Sequence, residues 1–260
     1  MPLVATAIST NLLWMEIGTS AVSLRAAAQA AFPSRVIRGF TVFAPTDVDS
    51  LLRIAGSASG ILVAVNAEKL ANGDPGLRQI ANDNLAYPDG MGAVLALRRT
   101  GVSAHRIAGA DLWLHLAARF YRDRSFYLIG GTQRVIEATA QKLRQRLPDI
   151  DLEYRNGYLS DEDVAALEDR LRQRQPWIVL VGMGSPRQER LMERLNHAHP
   201  ALYMGVGGSF DVFVGAKPRA PGWLQRAGME WAYQFVRTPQ RLPRLPAYLK
   251  FAWLLAIGRT

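Results

Sequence analysis

Short apolar runs alternate along the chain with longer segments in which apolar residues recur every three or four positions. The runs are residues 61–66, 85–88, 105–108, 126–130, 152–155, 177–182 and 202–206. Their length and continuity predict buried strands. Between them lie helical patterns at 68–81, 111–123, 132–147, 161–174 and 186–197. In the second of these, Leu112, Leu116 and Phe120 fall at i, i+4 and i+8, on one helix face. Strand–helix alternation predicts an α/β fold, a mostly parallel sheet with helices on both faces. In such sheets ligands bind outside the carboxyl ends of the strands.

Three regions follow from the same pattern. Residues 1–34 precede the periodic part and read as an N-terminal extension with a helix at 21–32. Residues 35–216 form the α/β domain. Residues 217–260 form a C-terminal appendage, which Pro239, Pro243 and Pro246 prevent from being one long helix.

Composition narrows the chemistry. Of 260 residues, 49% are hydrophobic and 20% charged, an ordinary globular balance. There is no cysteine, which excludes disulfides, iron–sulfur clusters and thiol catalysis. The four histidines and the D-x-D pairs (Asp47/Asp49, Asp149/Asp151, Asp161/Asp163) do not ask for a metal. Two of those pairs stand where helices start, which suits capping and the helix dipole. No stretch reaches the roughly 18 apolar residues of a membrane span. The first residues lack a basic region and carry Glu16, which argues against a signal peptide and for a cytoplasmic location.

The net charge is +9, and residues 217–260 alone hold a surplus of seven. Cations including Arg237, Arg241, Arg244 and Lys250 are interleaved there with Trp223, Trp231, Tyr233, Phe235, Tyr248, Phe251 and Trp253. That mixture suits an anionic membrane surface, with cations on phosphates and rings at headgroup depth. It suits equally a solvated helix pair packed on the domain through its aromatics. Nucleic acid ranks lower, because no binding motif for it is visible.

Several loops after strands can carry chemistry. Gly182-Met-Gly-Ser-Pro-Arg-Gln-Glu189 reads as a strand-to-helix turn, with Ser185 and Gln188 forming a capping box. Free N–H groups there, around Gly184, offer an anion site; the plain alternative is a capped turn. Gly130-Gly131-Thr132 offers a second such loop, and Gly207-Gly208 a glycine turn for close packing. Neither dinucleotide nor P-loop fingerprints are present. Asp89 follows a strand and precedes Gly90, so it is either a helix cap or a general base facing the crevice.

Seven motifs occur in order: Asn66-Ala-Glu68, Tyr87-Pro-Asp-Gly-Met-Gly92, Arg106-x-x-Gly-x-Asp-Leu112, Leu128-Ile-Gly-Gly131, Val181 to Glu189, Gly205 to Asp211, and Arg219-Ala-Pro-x-Trp223. With them the chain resembles the WecG/TagA/CpsF family of bacterial glycosyltransferases over residues 36–244. The resemblance implies a Rossmann-like domain with a helical appendage that touches the inner membrane face. It implies inverting transfer of a sugar from a UDP-sugar to a polyprenyl-diphosphate-linked sugar, without a metal or other cofactor, in surface-polysaccharide synthesis. Asp89 then maps to the base. Asn66, Arg106 and Gln188 line the site, with Gly130, Gly131, Gly184, Ser185 and Gly208 as backbone contributors. Arg241 and Arg244, with Arg237 as neighbour, would reach the acceptor diphosphate. An oligomer is compatible with this reading, and nucleic acid is not a partner.

Two departures stand out. Family members often carry Thr-Pro before Asn-Ala-Glu, where this chain has Ala64-Val65. The missing hydroxyl favours glucose over N-acetylmannosamine as the donor sugar, with glucuronic acid also open. Many members have Arg after W-x-Y, where this chain has Gln234. Residues 1–34 have no counterpart in the resemblance. The competing readings are a non-catalytic membrane- or polyphosphate-binding protein, and a soluble nucleotide-dependent enzyme.

Overall fold

The computed structural model describes residues 22–226, 230, 233, 237, 242–243 and 245–258. Among the described residues nine strands form one sheet, eight of them in the order β2-β3-β5-β4-β9-β8-β6-β7. These are β2 (Ser34–Ile37), β3 (Phe40–Phe43), β4 (Ala58–Val65), β5 (Leu85–Pro88), β6 (Phe126–Gly130), β7 (Leu152–Arg155), β8 (Ile178–Gly182) and β9 (Leu202–Gly205). The short β1 (Val22–Ser23) pairs with the first two residues of β4. All pairings are parallel except β2 with β3.

The alternation of side chains across a strand divides the core in two. Ile61, Val63, Val65, Val179, Val181 and Tyr203 point to one face. Leu62, Ile178, Leu180, Leu202 and Met204 point to the other. The first face is covered by α3 (Ala67–Asn72), α4 (Pro75–Asp83), α5 (Met91–Arg99), α8 (Asp161–Arg174) and α9 (Arg187–Ala198). The second is covered by α1 (Leu24–Ala31), α2 (Val48–Ala55), α6 (Gly109–Phe120), α7 (Gln133–Arg146) and α10 (Ser209–Phe213). Because both faces are covered, β5, β6, β8 and β9 are buried at every residue.

The structure departs from the sequence reading at four places. The helix expected at 68–81 is two helices. Gly73, at φ 61°, ends α3 in a left-handed cap, and Pro75 with the Asp74 cap starts α4. Residues 105–108 form no strand. Both edges of β5 are taken by β3 and β4, so this segment crosses the end of β5, where Ile107 N–H reaches Pro88 O at 2.9 Å. The β2–β3 hairpin turns through Arg38 and Gly39, at φ 50° and 84°, a turn the apolar pattern does not announce. The packed region also reaches back to Val22, because Leu24, Ala28 and Phe32 of the N-terminal segment are buried. In the appendage, α11 (Gly222–Arg226) and α12 (Leu245–Ala256) are separate helices. The last packs on α3 and α5 through Phe251.

Candidate functional site

The C-terminal ends of β5, β4, β9 and β8 lie side by side and bring most of the singled-out residues to one edge of the sheet. Asp89 follows β5 directly. Its N–H donates to Val65 O at 3.0 Å, which extends the β4–β5 ladder by one residue. It does not cap the helix that follows it. The cap of α5 is Gly90, with no side-chain bond. Instead Asp89 Oδ1 accepts the N–H of Gly109 at 2.7 Å, at the first residue of α6. The carboxylate thus sits on the positive end of a different helix. Gly109 leaves the room for this: a Cβ there would stand 3.0 Å from Tyr87 Oη and 3.5 Å from Asp89 Oδ1.

Asp89 is half-buried by exposed area, yet protein atoms surround its carboxyl group. Burial pushes its pKa up. The Gly109 hydrogen bond and the charges of Arg106 and Lys69 oppose that rise, and Glu230 adds to it. The net direction is upward, so this aspartate is a stronger base than an exposed one. Arg106 donates Nε to the Asp89 carbonyl at 2.9 Å, and its Nη2 pairs with the carboxylate of Glu230 from the appendage. Arg219, which bonds Asp111 at 2.6 Å, approaches the other oxygen of Glu230 at 3.9 Å.

Asn66 caps α3, its Oδ1 accepting the N–H of Lys69 at 3.1 Å, and it packs against Gly90. Ser185 and Gln188 do not form the expected capping box. Helix α9 starts at Arg187 behind Pro186 without a side-chain cap. Gln188 turns inward instead, and is buried. Its Oε1 accepts the N–H groups of Gly184 at 3.1 Å and Gly207 at 3.0 Å, tying the β8 turn to the turn that holds Gly208. The Gly184 N–H is therefore already engaged within the protein.

Gly130 and Gly131 lie farther along the same edge. Four strand spacings separate β5 from β6, roughly 19 Å at about 4.8 Å each. Gly130 is glycine because a Cβ would stand 2.4 Å from Gly182 O. A cleft of about 350 Å³ opens beside the β3 end, between Pro33, Arg35, Thr46, Ser103 and His105. Arg237 is exposed and stacks 5.7 Å from the Tyr233 ring. Arg241 and Arg244 lie outside the described residues, as do residues 1–21 of the N-terminal extension.

The sequence reading did not single out Lys69, Tyr87 or Glu230. Tyr87 is fully buried beside Asp89. Burial, with the carboxylates of Asp89 and Glu189, holds its hydroxyl well above the ordinary range and keeps it protonated. Lys69 is buried on α3 and reaches Glu189, on α9, at 2.8 Å. Nothing in a Lys on a short helix announces burial. Its partner stands 120 positions away.

The glycosyl transferase WecG/TagA/CpsF family matches residues 41–260, most of the chain, and the protein belongs to that family. It is a glycosyltransferase. Membership implies, in general terms, a nucleotide-sugar donor and a lipid-linked acceptor. Among the described residues no helix is long and apolar enough to cross a membrane.

Proposed function

We propose that the protein is an inverting hexosyltransferase that moves a sugar from a UDP-sugar to a polyprenyl-diphosphate-linked acceptor, for surface polysaccharide. The observation that carries this reading is Asp89. It is a carboxylate at a strand end, held by the Gly109 N–H and raised by burial above an ordinary aspartate. In the proposed step Asp89 takes the proton of the acceptor hydroxyl. The oxygen attacks the anomeric carbon, and the carbon–oxygen bond to the β-phosphate breaks. The electron pair leaves on UDP. One displacement at the anomeric carbon inverts it.

The leaving diphosphate needs positive charge or N–H donors. Arg106 stands beside Asp89 and is the nearest candidate; Gly130 and Gly131 lie four strand spacings along the edge, and the Gly131 N–H is already bonded to Gly182 O at 3.3 Å. We propose that the leaving group is stabilised without a metal. Asn66 and Gln188 hold the turns at these strand ends through bonds to backbone N–H groups. Ala64, half-buried near the end of β4, brings no hydroxyl, which favours glucose over N-acetylmannosamine, with glucuronic acid also to be tried. The appendage is proposed to meet the cytoplasmic face of the membrane as a peripheral contact. Exposed Trp223, Leu242, Leu249, Trp253 and Ile257 support that role.

The test is a panel of UDP-sugars with a short polyprenyl-diphosphate-sugar acceptor in excess chelator, with the extended lipid read by mass spectrometry. One donor is expected to extend the lipid with chelator present, and Asp89→Asn to lower the rate by about 10²–10⁴-fold. A donor used equally well by Asp89→Asn removes Asp89 as base. Activity that returns only on adding a divalent cation removes the metal-free step.

A further inference from the structure

Three of the five buried polar or charged side chains among the described residues sit together at these strand ends: Lys69, Gln188 and Glu189. A buried ion pair is a poor stabiliser, because desolvating both charges offsets most of their attraction. Its placement is more telling. Lys69 Nζ donates to Ala64 O, at the end of β4, at 2.7 Å and to Glu189 Oε1 at 2.8 Å. Gln188 Nε2 donates to the same oxygen at 3.1 Å, while Gln188 Oε1 holds the turns after β8 and β9. One chain of bonds therefore joins three strand ends, and the Asp89 N–H to Val65 O bond joins the fourth.

We propose that Lys69, held in place by Glu189, is a positioning residue for the Asp89 carboxylate: the pair locks the strand-end turns and fixes an ammonium group whose field reaches the base. The inference rests on the reading of Asp89 as base, but its test does not depend on turnover.

The groups facing Asp89 are Lys69 from α3, Tyr87 from β5, Arg106 from the 101–108 loop, Glu230 from the appendage and the Gly109 N–H from α6. The charge of Lys69 acts on Asp89, and that of Glu189 on Tyr87. Arg106 already shares its charge with Glu230. Lys69 and Arg106 are both cations of the α/β domain, but Arg106 pairs with the appendage through Glu230, whereas Lys69 is paired within the domain by Glu189. Burial pushes Asp89 toward the protonated form, in which it cannot accept a proton, and Lys69 restrains that rise.

The experiment is a ¹³C NMR titration of aspartate carboxyl groups in the full-length protein, with the Asp89 signal identified by its loss in Asp89→Asn. Glu189→Gln is compared with the double variant Lys69→Met/Glu189→Gln. This pair of proteins differs in the ammonium alone and leaves no orphaned carboxylate. The double variant is expected to titrate Asp89 at higher pH than Glu189→Gln, and Lys69→Arg to titrate with the wild type. Superimposed curves for Glu189→Gln and the double variant overturn the proposal. Should that double variant not fold, Lys69→Gln/Glu189→Gln, which keeps an amide donor at position 69, makes the same comparison against Glu189→Gln. Turnover that survives Asp89→Asn would overturn the reading of the base and leave the titration result standing.

Discussion

Asp89 is costly to its own fold. A carboxyl group whose pKa is higher folded than unfolded binds protons more tightly in the native state. Its contribution to stability is therefore lost as pH rises through the unfolded and then the folded pKa. Burial is the cause here, with Glu230 adding to it and the Gly109 N–H, Arg106 and Lys69 only partly opposing. Asp89→Asn removes the ionisation and keeps an oxygen that can accept the Gly109 N–H. At neutral pH this variant is expected to melt at or above the wild-type temperature, with the advantage vanishing in acid, where the wild-type group is protonated too. Thermal melts at several pH values check this. A lower melting temperature at neutral pH would show that the carboxylate stabilises the helix end more than burial penalises it. The same sign governs turnover: the acid limb of kcat/KM is expected above the ordinary aspartate range, because below it the base carries a proton.

At the scale of elements, the parts legible in the sequence are those whose signal is local. Helix α8 runs over 161–174, the bounds its helical pattern predicts, and Ser160 with Asp163 forms a capping box in front of it. Strands β6 and β7 are apolar or half-apolar runs with clear ends. Asp89 is visible because a strand, an aspartate and a glycine stand in sequence. What escapes is decided by distance along the chain. Residues 105–108 are apolar enough for a strand but find both edges of β5 occupied. Gln188 reads as a cap and is a bracket between two turns, because Gly207 is brought beside it by the sheet.

Helix α12 is another long-range element, packed on α3 and α5, with Phe251 in the core cluster they line and Ala247 and Leu255 against it. Phe251 fits against Gly92, where a Cβ would stand 3.0 Å from its ring. Phe251→Ala removes most of that contact, a loss of about 3 kcal/mol or more at a core site. The expected outcome is local: amides of 245–256 exchange about a hundredfold faster while those of β4, β8 and β9 keep their protection. Hydrogen exchange by mass spectrometry reads both. Unchanged exchange in 245–256 would mean that other contacts hold the helix.

For the whole molecule, charge and topology point the same way. The surplus of seven positive charges in residues 217–260 supplies most of the net +9. Helix α12 packs on α3 and α5, the two helices that leave the strand ends beside Asp89. Glu230 reaches Arg106 from the same region. The described part of the appendage thus packs at the sheet end that holds Asp89, the proposed base. Two physical terms then set membrane affinity, and they separate by experiment. Cations near an anionic surface contribute about 1 kcal/mol each and are screened by salt, whereas exposed rings contribute through burial that salt leaves intact. In co-sedimentation with vesicles of mixed anionic and zwitterionic lipid, Lys250→Gln is expected to weaken binding about fivefold at low salt and to have little effect at high salt. Trp253→Ser is expected to weaken it at both. Binding that ignores headgroup charge and salt alike would leave the basic surplus without a role at the membrane and return the appendage to a packing element of the domain.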